Sequence, residues 1–333
     1  IRDAQESRGL GDVYKRQVLG PVLAGFFIMG FCDIVAPITG RIAAEFSEEL
    51  QGAVSFLPTM VFLWFLILST PVAALMNRIG RRATALWGYL FTFAGLLLPY
   101  AAGPGCGLGW YFAGFGLLGI GNTILQVSLN PLLTNVVDSR ALSSSLTAGQ
   151  VIKAVSSFSG PFIAAFAASK LGNWVWMFPI FAGISLVSAL WLMATPIDEG
   201  PAERTSSAGE LLAVLRDRKI TMLFLGIVAI VGIDVGLNTL APKLLIERCD
   251  MPLEQAGYGS SVYFFCRVVG AFVGSLLLTR LSDRKYYVSH MLLGLVVLCA
   301  LYFADSRYAV LAGLGVALSL IHISEPTRLL SIS

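Results

Sequence analysis

Apolar segments of about 20 residues, the length that crosses a bilayer as an α-helix, recur along almost the whole chain between short polar joints. The composition agrees, because 56% of the residues are hydrophobic and only 13% are charged, and soluble domains do not reach these proportions. Membrane barrel strands would instead give short alternating segments. The chain is therefore predicted to be an all-α membrane protein with many spans.

The spans fall into two sets with a polar connection between them. Six are predicted in the first set, over residues 18–39, 52–76, 83–102, 109–134, 142–168 and 174–195. The second set has predicted spans over residues 220–245, 257–279 and 288–304, and a tenth span starts near Tyr308. This division predicts an N-terminal six-helix bundle at 18–196, a linker with a short amphipathic helix at 197–219, and a partial C-terminal bundle at 220–317.

The two ends of the chain read as one piece of DNA translated in opposite directions. One choice of codons for residues 1–17, IRDAQESRGLGDVYKRQ, has a reverse complement that translates as LSLIHISEPTRLLSISY, and residues 318–333 read LSLIHISEPTRLLSIS. That DNA resembles a sequencing-library adapter, so both stretches are interpreted as adapter-derived and excluded from the fold. We therefore expect a truncated chain that lacks its natural ends, and we expect the intact gene product to be the functional form.

The distribution of Lys and Arg over alternate joints predicts the orientation. Eleven of these residues lie in joints on one side and five in joints on the other. The side richer in Lys and Arg is normally cytoplasmic, so the linker after the sixth span is placed in the cytoplasm and the first joint outside.

Residues 77–82, NRIGRR, follow the second span and are similar to a cytoplasmic motif of the major facilitator superfamily, G-x-x-x-D-R-x-G-R-R. The matching residues, assigned to gating, are Arg78, Gly80, Arg81 and Arg82. The Gly and Asp positions of the motif hold Ala73 and Asn77, so a charge interaction made by that acid is not expected.

Within the superfamily, four stretches resemble the fucose:proton symporter family: FCDIVAP in span one, ILQVSLNPLL in span four, GIDVGLN in span seven and YFFCRVVGAFVGSLL in span eight. The resemblance implies a truncated major facilitator fold in the inner membrane of a bacterial cell. It implies proton-coupled uptake of a small-molecule sugar by alternating access about a site between the halves. The partners expected are the sugar and membrane lipid, with no nucleic acid and no cofactor besides the proton gradient, and we expect a monomer.

Two intramembrane acids are the candidates for proton coupling, Asp33 in span one and Asp234 in span seven. A charged group in lipid is costly and must face protein or a cavity, and an unpaired, desolvated carboxylate takes up a proton. The structural alternatives are ion pairs of Asp33 with Lys153 and of Asp234 with Arg267.

Amides dominate the candidate binding residues. Gln126 and Asn130 are four residues apart and point from one face of span four, and Pro131 is expected to let the helix open just beyond them. Amides donate and accept hydrogen bonds, which suits sugar hydroxyls, although hydrogen bonds between helices are the alternative. The full predicted binding set is Gln126, Asn130, Gln150, Lys153, Asn238 and Arg267.

Lys153, in span five, is the least expected residue in the chain. Pairing with Asp33 is the first expectation and binding of an acidic substrate the second, which leaves a carrier for acidic sugars or other small organic anions as the alternative function. Extension of the side chain to a membrane interface is a third reading, which its mid-span position disfavours. A membrane-embedded enzyme or a transport-dead sensor is favoured less, because the one histidine outside the end stretches, His290, has no acidic or Cys cluster near it in the sequence. The five cysteines show no paired spacing, so neither a disulfide framework nor a metal site is predicted.

Overall fold

The structure is a computed structural model that describes residues 18–103, 105–137, 139–199, 213, 216–252, 262–270, 272–273 and 283–323. The described part is helical and contains no strand. Most of the linker with its predicted amphipathic helix, both ends of the eighth span and the end stretches 1–17 and 324–333 lie outside the described residues.

The first set of spans is built from eight helices. The first span consists of α1 (18–29), a 3-10 segment (Gly30–Ile34) and α2 (Val35–Ala43). The others are α3 (Glu48–Val54), α4 (Leu57–Ile79), α5 (Arg81–Ala101), α6 (Leu108–Val136), α7 (Ser139–Lys170) and, after a 3-10 turn at Trp174–Trp176, α8 (Met177–Ala194). The second set contains α9 (Arg218–Cys249), α10 (262–270), α11 (Asp283–Tyr302) and α12 (Arg307–Ile323).

Six described helical stretches are long and apolar enough to cross a membrane: Glu48–Ile79, Arg81–Ala101, Leu108–Val136, Ala148–Lys170, Trp174–Ala194 and Arg218–Asn238. Three shorter apolar helices accompany them, Val18–Ile34, Val288–Tyr302 and Arg307–Ala317. Large apolar side chains such as Val187, Leu190 and Trp191 of α8 are exposed, as expected for surfaces that meet lipid.

Small residues let α5 and α6 pack closely in the first bundle. A Cβ on Gly95 of α5 would lie 2.5 Å from the backbone nitrogen of Leu118 in α6. Small residues let helix backbones approach this closely in membranes, so glycine holds α5 and α6 together. The buried apolar cluster around this contact includes Phe26, Phe115 and Phe181.

Two local features differ from the expectations. The first span was expected to be one helix over residues 18–39, but the structure interrupts it with the 3-10 segment that carries Asp33. The expected opening beyond Pro131 is wrong, because α6 continues through Pro131 to Val136. Its neighbours hold that turn, since the side chain of Arg81 donates a hydrogen bond to the Pro131 carbonyl at 2.9 Å.

The two bundles meet along the first and fifth spans. α2 packs against α9, and the Phe158 ring of α7 lies 6.1 Å, centroid to centroid, from the Phe265 ring of α10. A cavity lies beside these contacts, and polar residues of both bundles line it.

Candidate functional site

A cavity of about 650 Å³ lies between the two bundles. Small-molecule sites typically have volumes of about 300–1,000 Å³. The structure brings seven of the eight residues predicted for binding or coupling to its wall: Asp33, Gln126, Asn130, Gln150, Lys153, Asp234 and Arg267. The cavity is therefore the candidate substrate site.

Asp33 has three side-chain partners around one of its carboxylate oxygens. Its Oδ2 atom lies 3.6 Å from Lys153 Nζ and 3.3 Å from Arg267 Nη1, and it also accepts a hydrogen bond from Ser157 Oγ at 3.1 Å. The pairing of Asp33 with Lys153 that the sequence suggested is present. Arg267 adds a second cation, which comes from the other bundle.

Asp234 shares that arginine. Arg267 Nη1 lies 3.8 Å from Asp234 Oδ2, and the hydroxyl of the buried Tyr263 donates a hydrogen bond to Asp234 Oδ1. One guanidinium thus connects an acid of the first bundle with an acid of the second. A guanidinium has five N–H donors, so it can serve both carboxylates at once.

Asn238 does not line the cavity, but its side chain contacts the backbone of a residue that does. Its Nδ2 atom donates a hydrogen bond to the backbone carbonyl of Asp33 at 3.2 Å. In an α-helix that carbonyl would accept from the residue four positions later, but this residue is Pro37, which has no N–H. The second bundle therefore supplies a donor to the Asp33 carbonyl that Pro37 cannot provide.

The amides of α6 form a ladder along the cavity. Asn122, Gln126 and Asn130 recur every four residues and all line the wall. The Oδ1 atoms of Asn122 and Asn130 are buried and have no hydrogen-bond partner among the described residues. A buried acceptor without a partner costs about 1–3 kcal/mol, so these oxygens are favourable positions for hydroxyl donors of a ligand.

Sequence reasoning did not assign Asn122, although its spacing of four residues from Gln126 was a usable signal. It also missed the residues that α4 contributes to the wall, such as Thr59 and Phe62. In a span as apolar as this one, no pattern separates a cavity-lining threonine or phenylalanine from those that face lipid or other helices.

The arginines of the gating motif hold the ends of two helices. Arg81 Nη1 donates hydrogen bonds to the Pro131 carbonyl at 2.9 Å and to the Asn135 side chain, both near the end of α6. Arg82 Nε donates to the Leu192 carbonyl near the end of α8 at 3.2 Å. The two arginines therefore add side-chain donors to backbone carbonyls near the ends of α6 and α8.

The remaining motif residues have other positions. Gly80 joins α4 to α5 with a φ of 92°, in the region that favours glycine. Arg78 is exposed in the last turn of α4 and takes no part in the contacts with the ends of α6 and α8 described above.

Glu199, at the start of the linker, places a carboxylate beside this motif. The Glu199 carboxylate accepts hydrogen bonds from the backbone nitrogen of Arg82 at 2.7 Å and from that of Arg81. A carboxylate at a helix N-terminus satisfies free N–H groups and complements the helix dipole. Glu199 therefore brings a negative charge to the motif, whose acid position holds Asn77, and the sequence alone did not reveal this contact.

Metal-ligating side chains do not gather in the described ranges, where no group of three or more His, Cys, Asp or Glu residues could hold a metal ion. The polar groups of the cavity are amides, hydroxyls and two oppositely charged pairs. Such a set is suited to binding a polar small molecule by hydrogen bonds.

Comparison with known proteins gives consistent similarities. The chain matches the Major Facilitator Superfamily over residues 18–326. Putative glucose/galactose transporters from two strains of Helicobacter pylori are each 20% identical to it over 312 residues, which is 88% of this chain and 76% of theirs.

Solved structures of FucP have the same fold. A Major Facilitator Superfamily transporter, FucP, in the outward conformation superposes with a TM-score of 0.69 at 17% identity, over 93% of this chain and 82% of that one. A substituted form of the E. coli fucose:proton symporter FucP gives a TM-score of 0.68 at 17% identity over the same shares of the two chains. At this identity the likeness shows a shared fold.

The predicted fold class is thereby confirmed, with helices throughout the described residues and a major facilitator architecture. The family comprises transporters, which agrees with the expectation that the chain is not an enzyme. Because the family match covers most of the residues, this chain is an integral, multi-pass membrane protein that belongs to the Major Facilitator Superfamily.

Proposed function

We propose that this protein is a proton-coupled carrier for a neutral sugar, working by alternating access in the inner membrane of a bacterial cell. The observation that carries the proposal is the cavity between the bundles, where the amide ladder of α6 faces a charge-balanced cluster. The named relatives, putative glucose/galactose transporters and a fucose:proton symporter, suggest the same class of substrate.

The amides supply the recognition chemistry. A sugar hydroxyl both donates and accepts hydrogen bonds, and the free oxygens of Asn122 and Asn130 are acceptors for it. Gln126 and Gln150, which line the same cavity, add amide donors. The aromatic rings of α4, with Phe62 stacked on Phe65 at 6.4 Å, provide an apolar wall against which a sugar face can pack.

The charges favour a neutral substrate. Asp33 and Asp234 balance Lys153 and Arg267, and Lys153 lies in an ion pair with Asp33. An acidic sugar would have to compete with Asp33 for the Lys153 ammonium group. Lys153 is nonetheless 14% exposed and lines the cavity, so the carrier for organic anions remains the second candidate.

The arginine that both bundles share supports the proposal of proton coupling. A proton on Asp33 would neutralise the partner of Arg267 in the first bundle. A proton on Asp234 would neutralise its partner in the second bundle. Either event changes the attraction between the halves and therefore the balance between outward-open and inward-open states.

The proposal is tested by uptake into proteoliposomes that contain the full-length gene product. Labelled glucose, galactose, fucose, glucuronate and sialic acid are supplied with and without an inward proton gradient. We expect a neutral sugar to accumulate only with the gradient, and Asp33→Asn to lose the accumulation. Glu48→Gln, which changes an exposed acid at the start of α3, serves as the matched control.

Two outcomes would overturn the proposal. If no sugar moves in the unmodified protein, the sugar-carrier assignment is wrong. If only the acidic sugars accumulate, the anion carrier replaces it and Lys153 becomes a substrate ligand.

A further inference from the structure

A cluster of oxygen atoms surrounds Ser157, where the 3-10 segment of the first span meets α7. Ser157 Oγ lies 3.1 Å from the Gly30 carbonyl oxygen, 3.1 Å from Asp33 Oδ2 and 3.0 Å from the Lys153 carbonyl oxygen. A hydroxyl has one hydrogen and can donate to only one of these acceptors at a time. The cluster therefore holds more acceptors than its hydroxyl can satisfy.

The neighbouring Ser156 adds another oxygen. Ser156 is fully buried, and its Oγ has no hydrogen-bond partner among the described residues. A Cβ placed on Gly30 would lie 2.8 Å from this Oγ, so the hydroxyl borders the same turn of the first span. Carboxylate, carbonyl and hydroxyl oxygens at a helix break are the ligands that hold sodium ions in several transporter folds.

Two side chains supply the positive charge at this cluster. The Lys153 ammonium group and the Arg267 guanidinium lie 3.6 Å and 3.3 Å from the same Asp33 oxygen. Both are nearly buried, with 14% and 9% of their side chains exposed. Like charges repel strongly where water is scarce, so these two groups together oppose the entry of a metal cation beside Asp33. Arg267 also pairs with Asp234 at 3.8 Å, so loss of the Lys153 charge would leave two carboxylates with one cation.

We propose that Lys153 is a tethered substitute for a coupling sodium ion. Its ammonium group provides the positive charge that Na⁺ would bring to the cluster of Gly30 O, Asp33 Oδ2 and Ser157 Oγ. The unmodified protein therefore binds no Na⁺ at this place, and loss of the ammonium group converts the oxygen cluster into a Na⁺ site. The consequence for transport, which is independence of Na⁺, rests on the proposed carrier function, whereas the binding prediction does not.

The experiment measures Na⁺ binding by purified protein in detergent. Thermal unfolding midpoints are recorded over a range of NaCl, with choline chloride at equal ionic strength, and ²²Na⁺ binding is measured on the same samples. We expect no Na⁺-specific change for the unmodified protein. For Lys153→Gln we expect saturable ²²Na⁺ binding and a midpoint that rises by about 2 °C or more.

Three variants show whether the site is the one described. Lys153→Arg keeps the charge and is expected to bind no Na⁺. Lys170→Gln, at the C-terminal end of α7, is expected to behave like the unmodified protein. Adding Ser157→Ala to Lys153→Gln should abolish the gain. If Lys153→Gln does not purify as folded protein, Lys153→Ser is measured in its place.

The proposal is overturned if the unmodified protein binds Na⁺ or if the folded neutral variant binds none. Sugar uptake is also measured with either sodium or choline as the external cation. We expect the unmodified protein to take up sugar at the same rate in both. Absence of all uptake would contradict the carrier function while leaving the ²²Na⁺ result to decide the role of Lys153.

Discussion

At the scale of single residues, the cavity combines side chains that are already paired with side chains that are free to bind. Asp33 has two cations and a hydroxyl around one oxygen, whereas the amide oxygens of Asn122 and Asn130 have no partner in the described part of the protein. The charged cluster is suited to coupling the two bundles, and the amides are suited to recognising the ligand.

Asn122 is therefore expected to contribute to sugar affinity. Asn122→Ala removes a neutral hydrogen-bonding group worth about 0.5–1.5 kcal/mol, so the KM for uptake should rise about 2- to 10-fold with a smaller change in maximal rate. Ser128→Ala on the same helix is the control, because Ser128 donates to the Ile124 carbonyl of its own helix at 2.7 Å. An unchanged KM in Asn122→Ala would remove this residue from the site.

Gly30 is expected to be required for the approach of the first span to α7. A Cβ there would lie 2.5 Å from the Lys153 carbonyl oxygen and 2.6 Å from Ser156 Cβ. Overpacking of this kind costs about 1–3 kcal/mol, so Gly30→Ala should lower the unfolding midpoint measured in detergent. Gly52→Ala is the matched control, since nothing lies within 4 Å of its Cβ position; equal midpoints for both variants would contradict the close packing.

The residues of the site differ in how far the sequence could reveal them. Asp33, Asp234 and Lys153 stood out because charges inside apolar spans are costly and must meet a partner. Thr59 and Phe62 are ordinary members of an apolar helix, and only the packing of α4 against the cavity distinguishes them. The sharing of Arg267 between two acids depends on how the bundles dock, which no local pattern encodes.

At the scale of helices, bilayer thickness is the reason why the spans could be predicted. The predicted span at 109–134 corresponds to α6 at Leu108–Val136, and the predicted span at 83–102 to α5 at Arg81–Ala101. The length of an apolar segment depends only on the local sequence, so a span can be predicted without knowing how the helices pack. The 3-10 segment at Gly30–Ile34 was not predicted, although Gly30 within it and Pro37 just after it are usable signals, since Pro37 cannot donate to the Asp33 carbonyl.

The start of α5 provides a test of the contact with the linker. Glu199→Ala removes the carboxylate that accepts from the Arg81 and Arg82 backbone nitrogens, and losing such a cap costs about 0.5–2 kcal/mol. Backbone hydrogen exchange in the first turn of α5 should accelerate about 2- to 30-fold, measured by mass spectrometry. Asp198→Ala, at the exposed preceding residue, is expected to leave exchange unchanged; the same rate in both variants would show that Glu199 is no cap.

At the scale of the whole molecule, the orientation in the membrane is set by the joints rather than by the spans. The distribution of Lys and Arg puts Lys170 outside and the linker residue Arg204, which lies beyond the described ranges, in the cytoplasm. With the five native cysteines replaced by serine, Lys170→Cys in intact cells should react with a membrane-impermeant maleimide. Arg204→Cys should react only after the membrane is permeabilised, and the reverse pattern would invert the topology.

The two bundles are joined at Asp33, by the ion pair of its side chain with Arg267 and by the hydrogen bond of its carbonyl with Asn238. In the proposed alternating-access cycle these contacts have to be broken and re-formed, so the charge of Asp33 would affect the balance between the two conformations. Protonation is the simplest way to change that charge during a transport cycle.

The movement of protons together with the sugar therefore tests the proposed coupling most directly. A neutral sugar is added to a lightly buffered suspension of de-energised cells that express the full-length gene product, and the external pH is recorded. We expect the medium to become alkaline as protons enter with the sugar, and we expect Asp33→Asn to abolish the change while Glu48→Gln preserves it. Entry of labelled sugar without any change of pH in the unmodified protein would contradict proton coupling through this cavity.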